Sequence, residues 1–350
     1  MVAAKISAIS CYLPTEQLRN EELARVFSGW TPEKITRKLG IESRPIAAPG
    51  ETAVDMAEKA GNALFDAGYA NRDEIDFVVL CTQSPDYFLP TSACLLQNRL
   101  GLPQRCGAFD INLGCSGYIY GLGVCKGLLE AGLAKRILFI TSETYSKYIN
   151  KFDRASRPLF GDGAAASLLV ADMEQSESEH WMGNFEFGTD GAGADLLMVP
   201  AGAHRLPSSE ATAEVRPDAF GSFRSKDNLF MNGPGIFTFS IDRIPPLIDR
   251  YRKLCQQRNM TIDRYVFHQA NRYMLDRLQV MCELDPAVYY NQMKNRGNTV
   301  SSSIPIALVD AMNDGFLKPG LLTLLVGFGV GLSWGGCLIR LDDDFRSVVV

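Results

Sequence analysis

Short apolar runs alternate along the chain with segments in which apolar residues recur at helical spacing. The runs are rich in β-branched residues, which is typical of strands that are covered on both faces. They predict strands at residues 5–11, 75–82, 106–111, 136–142, 165–170, 265–268, 321–328 and 336–341. This alternation of strands and helices predicts an α/β fold with layered sheets.

Several of the predicted helices have recognisable starts. Thr52, followed three residues later by Asp55, is an acidic variant of the capping box. Thr31 before a proline is a typical N-cap with proline at the first helical position. Thr91 is the predicted cap of the helix that ends at Gly101.

A faint internal repeat links residues 127–142 with residues 307–328. Each segment is a helix that ends near a glycine, Gly132 or Gly315, and is followed by a strand. The repeat predicts two halves of similar topology, and 350 residues suffice for about two domains. We expect the halves at 1–172 and 231–350, joined by extended connections and loops at 173–230, where the sequence is polar and lacks periodicity.

Composition excludes several classes of protein. Apolar residues make up 46% and charged residues 21% of the chain, so disordered and collagen-like chains are excluded. A net charge of −5 argues against a dominant nucleic-acid-binding surface. No apolar run approaches the roughly 20 residues that span a membrane. Free cysteines without an export signal predict a cytoplasmic protein.

The chain has nine cysteines and three histidines. No two cysteines have C-x-x-C spacing, which excludes zinc-ribbon and thioredoxin-type sites. Most cysteines lie in apolar runs and are interpreted as small buried hydrophobic residues. His180 and His204 lie in polar surroundings and are interpreted as exposed loop histidines.

Cys115 lies where a predicted strand gives way to a predicted helix, within the sequence FDINLGCSG. A cysteine at a helix start faces unpaired backbone N–H groups and the positive end of the helix dipole. Both lower the thiol pKa and favour the nucleophilic thiolate. The flanking glycines allow a substrate to approach closely. Cys115 is therefore a candidate nucleophile, and the alternative is a packed structural cysteine.

His268 ends an apolar strand in the sequence YVFHQAN. A cysteine nucleophile needs an acid or base beside it, and histidine is the usual choice. The alternative is a core histidine that hydrogen-bonds to the backbone. Asn298, in RGNT, is either a turn residue or a donor of hydrogen bonds to a substrate carbonyl.

The glycine-alternating sequence GFGVGLSWGG, at residues 327–336, follows a predicted strand. Such a loop can present backbone N–H groups to an oxyanion. It does not open a helix as G-x-G-x-x-G, so a nucleotide-binding function is not predicted.

Together, GCSG, HQAN, RGNT and FGxGxxWG, with FGDGAA at 160–165, resemble the motifs of the ketoacyl-(acyl-carrier-protein) synthase III family of the thiolase superfamily. The resemblance extends from about residue 5 to residue 341. It implies a thiolase-like five-layered αβαβα fold with two duplicated halves. It also implies a homodimer.

The resemblance implies a role for each motif. Cys115 is similar to the acylated nucleophile of the family, and His268 and Asn298 to the residues that complete a Cys-His-Asn triad. The backbone N–H groups of Cys115 and Val330 would form the oxyanion hole. Elongating ketosynthases have histidine, and thiolases cysteine, as the third member of the triad, so Asn298 resembles the synthase III branch.

The implied reaction is a decarboxylative Claisen condensation. Cys115 takes an acyl group from acyl-CoA, and a malonyl thioester, on acyl carrier protein or CoA, then loses CO2 to give an enolate that attacks the acyl-cysteine. The product is a 3-oxoacyl thioester. CoA and phosphopantetheine thioesters are then substrates, with no tightly bound cofactor and no metal, and neither nucleic acid nor a membrane is an expected partner.

The CoA entrance matches the family only in part. Arg154 stands where the family has an arginine beside the adenine, whereas Lys34 occupies the position of the partner tryptophan. Trp30 lies four residues earlier, which on one helix is the same face, one turn away. Asn271 is expected to bind substrate. Leu89 stands where the family has a pocket residue from the dimer partner.

The surface expected to bind an acidic carrier protein has few cations. Arg272 and Arg277 are present, but Thr238 replaces a lysine that is common in the family. We therefore expect weaker electrostatic steering. With the long 172–230 segment, this predicts a specialised member of the family with a different acyl group or acceptor.

Two other functions remain open from the sequence. One is an acyltransferase on the same scaffold that moves an acyl group from Cys115 to an amine or hydroxyl without decarboxylation. The other is a non-catalytic scaffold subunit. The presence of Cys115, His268 and Asn298 together argues against a non-catalytic subunit, which has no physical need for all three.

Overall fold

The computed structural model describes residues 3–172, 182–219 and 221–350. The strands are β1 (Ala3–Tyr12), β2 (Gln17–Arg19), β3 (Ser43–Pro45), β4 (Phe77–Cys81), β5 (Gly107–Ile111), β6 (Arg136–Glu143), β7 (Gly163–Asp172), β8 (Met182–Thr189), β9 (Leu197–Met198), β10 (Arg216–Pro217), β11 (Phe223–Arg224), β12 (Phe230–Met231), β13 (Arg264–Phe267), β14 (Tyr289–Tyr290), β15 (Thr323–Gly329), β16 (Ser333–Ile339) and β17 (Arg346–Val349).

The helices are α1 (Asn20–Val26), α2 (Pro32–Leu39), α3 (Ala53–Asp66), α4 (Ser92–Arg99), α5 (Gly117–Glu130), α6 (Glu210–Ala213), α7 (Gly233–Gln257), α8 (Arg272–Met281) and α9 (Ser303–Asn313). Every predicted strand is present, with shifts of a few residues at the ends. Among the described residues, no helix combines the length and apolarity needed to cross a membrane.

Two sheets share one topology. The first has the order β17-β1-β7-β6-β4-β5, and the second has the order β14-β13-β15-β16-β8. Without β17, each sheet contains five strands. Strands that have the same rank along the chain occupy the same position in the two sheets. In each, the second strand is parallel to the third and fourth, and the fifth is antiparallel to the fourth and first. The duplication predicted from residues 127–142 and 307–328 is therefore confirmed, because these segments are α5–β6 and α9–β15.

Alternate residues of the central strands divide the core into three layers, as the two-residue period of a strand requires. Leu138 on β6 packs with α3 and α4, whereas the next residue, Phe139, packs with α5 and α9. Leu324 on β15 packs with α7 and α8, and Leu325 again packs with α5 and α9. Helices α5 and α9 thus lie between the two sheets, and the arrangement is the predicted five-layered αβαβα fold.

The halves differ from the boundaries expected from the sequence. The region 173–230 was predicted to hold only connections and loops, but β8 lies within it and is the first strand of the second sheet. Its sequence, MGNFEFGT, has few aliphatic residues because it is an edge strand with part-exposed residues. The C-terminal β17 returns to the first sheet and pairs with β1.

Two of the three predicted caps have their expected geometry. The hydroxyl of Thr52 accepts from Asp55 N–H in a capping box, and Thr31 accepts from Lys34 N–H. Thr91 precedes α4 without a side-chain hydrogen bond. Instead, the carboxylate of Asp110 on β5 accepts from the first two N–H groups of α4, at 2.7 Å each.

Candidate functional site

Cys115 lies in the turn between β5 and α5, two residues before the helix begins. Its exposed fraction is only 4%, because α5 is enclosed between the two sheets. The buried side chains of Tyr118, Ile119 and Leu122 hold the helix there. The predicted helix beside this cysteine is therefore present, and much of it is buried.

The protonation of Cys115 differs from the expectation. Burial raises the thiol pKa to about 12 and is the largest effect. Hydrogen bonds from the backbone N–H groups of Val330 and of Cys115 itself lower the pKa by less. The thiol therefore carries its proton at neutral pH, and a helix start does not by itself produce a thiolate in a site this enclosed.

The loop after β15 approaches Cys115 so closely that only glycine fits at one position. A β-carbon on Gly329 would lie 2.7 Å from both Cβ and Sγ of Cys115. This approach places Val330 N–H at the sulfur. The two N–H groups predicted to form the oxyanion hole, those of Cys115 and Val330, thus both lie beside Sγ.

A chain of hydroxyl groups fixes this loop against the start of α5. Oγ of Ser333 donates to the Val330 carbonyl at 2.9 Å and lies 2.6 Å from Oγ of Ser116. Since the Ser333 proton is used at Val330, the Ser116 hydroxyl is the donor to Ser333. The residue next to the candidate nucleophile therefore holds the loop that carries Val330.

His268 follows β13 directly and has an exposed fraction of 1%. Its Nδ1 lies 2.6 Å from Oγ of Ser303, and its ring meets Phe328 edge-on, with centroids 5.7 Å apart. Burial lowers its pKa to about 3. The imidazole is therefore neutral at physiological pH, with Nε2 as the nitrogen that Ser303 leaves available.

Asn298 is held by its backbone and its side chain. Its N–H donates to the Leu159 carbonyl at 2.9 Å, and its carbonyl accepts from Gly161 N–H at 3.0 Å. Its Oδ1 accepts from Val300 N–H at 2.9 Å. This bond orients the side-chain amide, so that its NH2 group is available as a donor. The FGDGAA sequence thus has a structural role here, because the chain around Phe160 forms the bridge to Asn298.

One cavity of about 1110 Å³ brings these residues together. Cys115, His268 and Asn298 line it with Gly329 and Phe328. Val330 is not among the lining residues and reaches the site through its N–H group. The volume is slightly above the usual range for small-molecule sites, which is about 300 to 1,000 Å³. Within the three described ranges, no group of three or more His, Cys, Asp or Glu side chains could hold a metal ion.

Trp30 and Arg154 both line this cavity. Nη2 of Arg154 donates to the Ser28 carbonyl at 3.2 Å, and its guanidinium lies 5.8 Å from the ring centroid of Phe27. The Trp30 ring also packs on Phe27, and the centroids of these two rings lie 5.6 Å apart. Trp30 precedes the N-cap Thr31 of α2, so the proposed placement of Trp30 and Lys34 on one helix is wrong, although Trp30 still reaches the cavity.

Of the other two predicted binding residues, Asn271 lies at the cavity and Leu89 does not. Asn271 lines the cavity and is also the N-cap of α8, since its Oδ1 accepts from Met274 N–H at 2.9 Å. Leu89 does not line the cavity of its own chain and is 81% exposed. His204 is exposed as predicted, and His180 lies outside the described residues. Of the nine cysteines, only Cys94 is not buried.

Comparisons with known proteins agree with this geometry. Two family models match, described as 3-oxoacyl-(acyl-carrier-protein) synthase III at residues 109–197 and its C-terminal part at residues 255–341. A beta-ketoacyl-(acyl-carrier-protein) synthase III from Chlamydia caviae is 35% identical over 341 residues, which is 96% of each chain. The chain belongs to the 3-oxoacyl-(acyl-carrier-protein) synthase III family.

Solved structures of this synthase III family superpose on nearly the whole chain. One 3-oxoacyl-(acyl-carrier-protein) synthase III has a TM-score of 0.93 and 46% identity, over 97% of this chain and 100% of that one. A 3-oxoacyl-(acyl-carrier-protein) synthase from Burkholderia xenovorans has a TM-score of 0.88 and 31% identity, over 99% and 97% of the two chains.

The sequence did not reveal several residues that support the site. Ser303 is the hydrogen-bond partner of His268, Ser333 fixes the Val330 loop, and Glu143 is a buried carboxyl close enough to raise the pKa of the Cys115 thiol. The only sequence signals were a run of three serines before α9 and an acidic residue at the end of an apolar strand. Both patterns are common in loops and carry no chemistry until the second half folds onto the first.

Proposed function

We propose that the chain catalyses decarboxylative condensation of an acyl group, carried on Cys115, with a malonyl thioester on acyl carrier protein. The observation that carries this proposal is the meeting of Cys115, His268 and Asn298 in one cavity, with Val330 N–H at the sulfur. Membership of the synthase III family supports the same reaction. A 3-oxoacyl thioester, CO2 and free CoA are the products.

The first half-reaction transfers the acyl group. The Cys115 sulfur attacks the thioester carbon of acyl-CoA, the carbon–sulfur bond to CoA breaks, and the thiol proton leaves with CoA as its SH group. The N–H groups of Cys115 and Val330 stabilise the oxyanion that forms. Neutral His268 is the base within the cavity that accepts the thiol proton and passes it to the CoA sulfur.

The second half-reaction forms the carbon–carbon bond. In this step neutral His268 carries its proton on Nε2, with Nδ1 as the acceptor from Ser303, so that Nε2–H and the NH2 group of Asn298 donate hydrogen bonds to the thioester carbonyl of the malonyl group. The carbon–carbon bond to the carboxylate breaks, CO2 leaves, and the resulting enolate attacks the acyl carbon on Cys115. The cysteine sulfur leaves as the thiolate and takes a proton from water, because loss of CO2 from the carboxylate releases none. Stabilisation of the enolate oxygen by two preorganised donors supplies the rate acceleration.

The entrance to the cavity supports both substrates. Trp30 and Arg154 line the cavity and suit the adenine end of CoA, while Lys38 adds positive charge for its phosphates. Arg272 and Arg277 are exposed on α8, whose residues Tyr273 and Met274 line the cavity, and they suit an acidic carrier protein. The identity of the acyl group, and the specialised role inferred from the long 172–230 segment, remain predictions.

We further propose that the protein is a homodimer in which Leu89 reaches the cavity of the partner. Strand β5 is an edge of its sheet, and all five of its residues are only part-buried. Tyr87, Phe88 and Leu89 form an apolar group that is 61%, 83% and 81% exposed. A second copy of the chain would pair along β5 and cover this group. Light scattering should give the mass of a dimer, and Phe88→Asp should give a monomer.

Three measurements test the reaction. Mixing the protein with acyl-CoA should add one acyl mass, which Cys115→Ser abolishes and the control Cys94→Ser does not. Malonyl carrier protein should then release CO2 and give the 3-oxoacyl product. Asn298→Ala should slow condensation about 100-fold while Cys115 is still acylated.

The same measurements decide between the alternatives. Acylation of Cys115 with transfer to an amine or hydroxyl acceptor, and without CO2 release, would establish the acyltransferase instead. No adduct with any acyl donor would leave the non-catalytic subunit. The cytoplasmic location inferred from the free cysteines stays a prediction, which cell fractionation would test.

A further inference from the structure

Glu143 is a carboxyl that the proposed reaction does not use, although it lies next to the site. It is the last residue of β6 and has an exposed fraction of 0%. Its Oε2 accepts from Gln83 N–H and from Oγ of Ser84, at 3.1 Å each. Its Oε1 accepts from Oγ of Ser301 at 2.8 Å. A buried carboxyl is costly, so one that bonds both halves of the fold calls for a physical reason.

The duplicated topology explains where Glu143 lies. Ser301 precedes α9 by two residues, just as Cys115 precedes α5 by two residues. Strand β6 pairs with β4 in the same way as β15 pairs with β13, so the residues of β6 and β15 can be matched one to one. In this match, Glu143 on β6 corresponds to Phe328 on β15. When the two halves are compared, Ser301 therefore corresponds to Cys115, and Glu143 corresponds to Phe328.

The turn that holds Ser301 is also the turn that holds the partners of Cys115. Asn298 begins it, Ser303 binds His268, and Val300 N–H orients the Asn298 amide. The turn lies directly against the nucleophile loop, since a β-carbon on Gly114 would lie 3.2 Å from Cγ1 of Val300. A shift of this turn would therefore move both hydrogen-bond donors relative to Cys115.

The backbone of this turn is strained. Val300 is β-branched and has a φ of +54°, in the left-handed region that such residues rarely occupy. A conformation of this kind persists only where the surroundings hold it. The hydrogen bond from Ser301 to Glu143 acts on the next residue, and its acceptor is fixed at the end of a central strand of the other half.

We propose that Glu143 is a positioning residue for the condensation step, which holds the strained 298–303 turn through Ser301 and so aims Asn298 at the malonyl thioester. This inference rests on the proposed function. It predicts that loss of the Glu143–Ser301 bond impairs condensation more than acylation. The turn holds the donors to the malonyl carbonyl, whereas the oxyanion donors at Cys115 lie on other loops.

The test compares Ser301→Ala with Ser10→Ala, a control outside the turn. Ser10 is a buried serine on β1 whose hydroxyl donates to the Ala60 carbonyl on α3, within the first half. In full-length protein, we expect Ser301→Ala to lower the ratio of CO2 release to Cys115 acylation about tenfold. Ser10→Ala should leave this ratio unchanged. Equal loss of both steps in Ser301→Ala, or an equal change in the control, would overturn the proposal.

Glu143→Gln and Glu143→Ala give a second comparison. The amide of Gln can still donate to Ser301 while its oxygen accepts from the 83–84 segment, so it should retain much of the ratio that Ala loses. If Glu143→Ala does not fold, Ser301→Ala decides the question, because it leaves the buried carboxyl in place. A ratio in Glu143→Gln below that of Ser301→Ala would count against a positioning role.

Hydrogen exchange separates this inference from the proposed function. Val300 N–H should exchange about tenfold faster in Ser301→Ala than in Ser10→Ala, because its acceptor Asn298 is no longer held in place. If the wild-type protein released no CO2, the proposed function would fail, and exchange would still show whether Glu143 holds the turn. Unchanged exchange in Ser301→Ala would overturn the positioning role whatever the activity.

Discussion

Nδ1 of His268 lies 2.6 Å from Oγ of Ser303, at the first residue of α9. This contact joins a strand end and a helix start, and it determines which ring nitrogen faces the substrate. We predict that Ser303→Ala slows condensation about tenfold, the usual effect of losing one orienting hydrogen bond. Ser10→Ala is the control, since Ser10 is a buried serine on β1 whose hydroxyl donates to the Ala60 carbonyl, and neither residue lines the cavity. Equal rates in the two variants would refute the prediction.

The close approach of Gly329 to Cys115 predicts a steric effect on acylation. A methyl group at position 329 would lie 2.7 Å from Sγ, so the loop that carries Val330 would have to move. We expect Gly329→Ala to slow acylation of Cys115 by about 10- to 100-fold, which stopped-flow release of CoA would measure. Gly127→Ala is the control, because Gly127 lies in α5 with no atom near its added β-carbon. Normal acylation in Gly329→Ala would show that the loop adapts without loss.

The buried state of His268 predicts the pH dependence of stability. Burial lowers its pKa to about 3 in the folded protein, below its unfolded value of about 6.5. The unfolded chain therefore binds a proton between pH 6.5 and 3 that the folded protein does not. The stabilisation is complete above pH 6.5 and is lost as the pH falls. Urea unfolding should show that the wild type loses more stability than His268→Gln between pH 7.5 and 4.5. Parallel curves for the two proteins would contradict this.

The Trp30–Phe27–Arg154 group predicts a selective effect on CoA donors. Trp30→Ala and Arg154→Ala should each raise KM for acyl-CoA about tenfold, because each removes a stacking or cationic contact. An acyl-N-acetylcysteamine donor lacks the nucleotide, so its KM should not change. Arg346→Ala on β17, an exposed site, is the control. A similar rise in KM for both donors would place the effect elsewhere in the cavity.

The patterns that predicted most of the fold are local ones. Apolar runs marked the strands of both sheets, and the similarity of 127–142 to 307–328 indicated the duplication. Strand β8 was not predicted from the sequence, because it lies at the edge of its sheet and most of its residues are part-exposed or exposed. Its sequence, MGNFEFGT, therefore resembles a loop in composition. Thr91 was predicted to cap α4, but Asp110, distant along the chain, supplies the acceptors.

The sequence by itself determined which reactive groups are present. They are a cysteine before a helix, a histidine after a strand, an asparagine in a turn and a glycine loop, in an order that resembles one family. These features depend on residues close together in the chain. Only the tertiary structure decided that they meet in one cavity, that Cys115 keeps its proton, and that Glu143 and Ser303 support the site. Burial and hydrogen bonding between the halves depend on which surfaces exclude water from each other, and no local pattern records that.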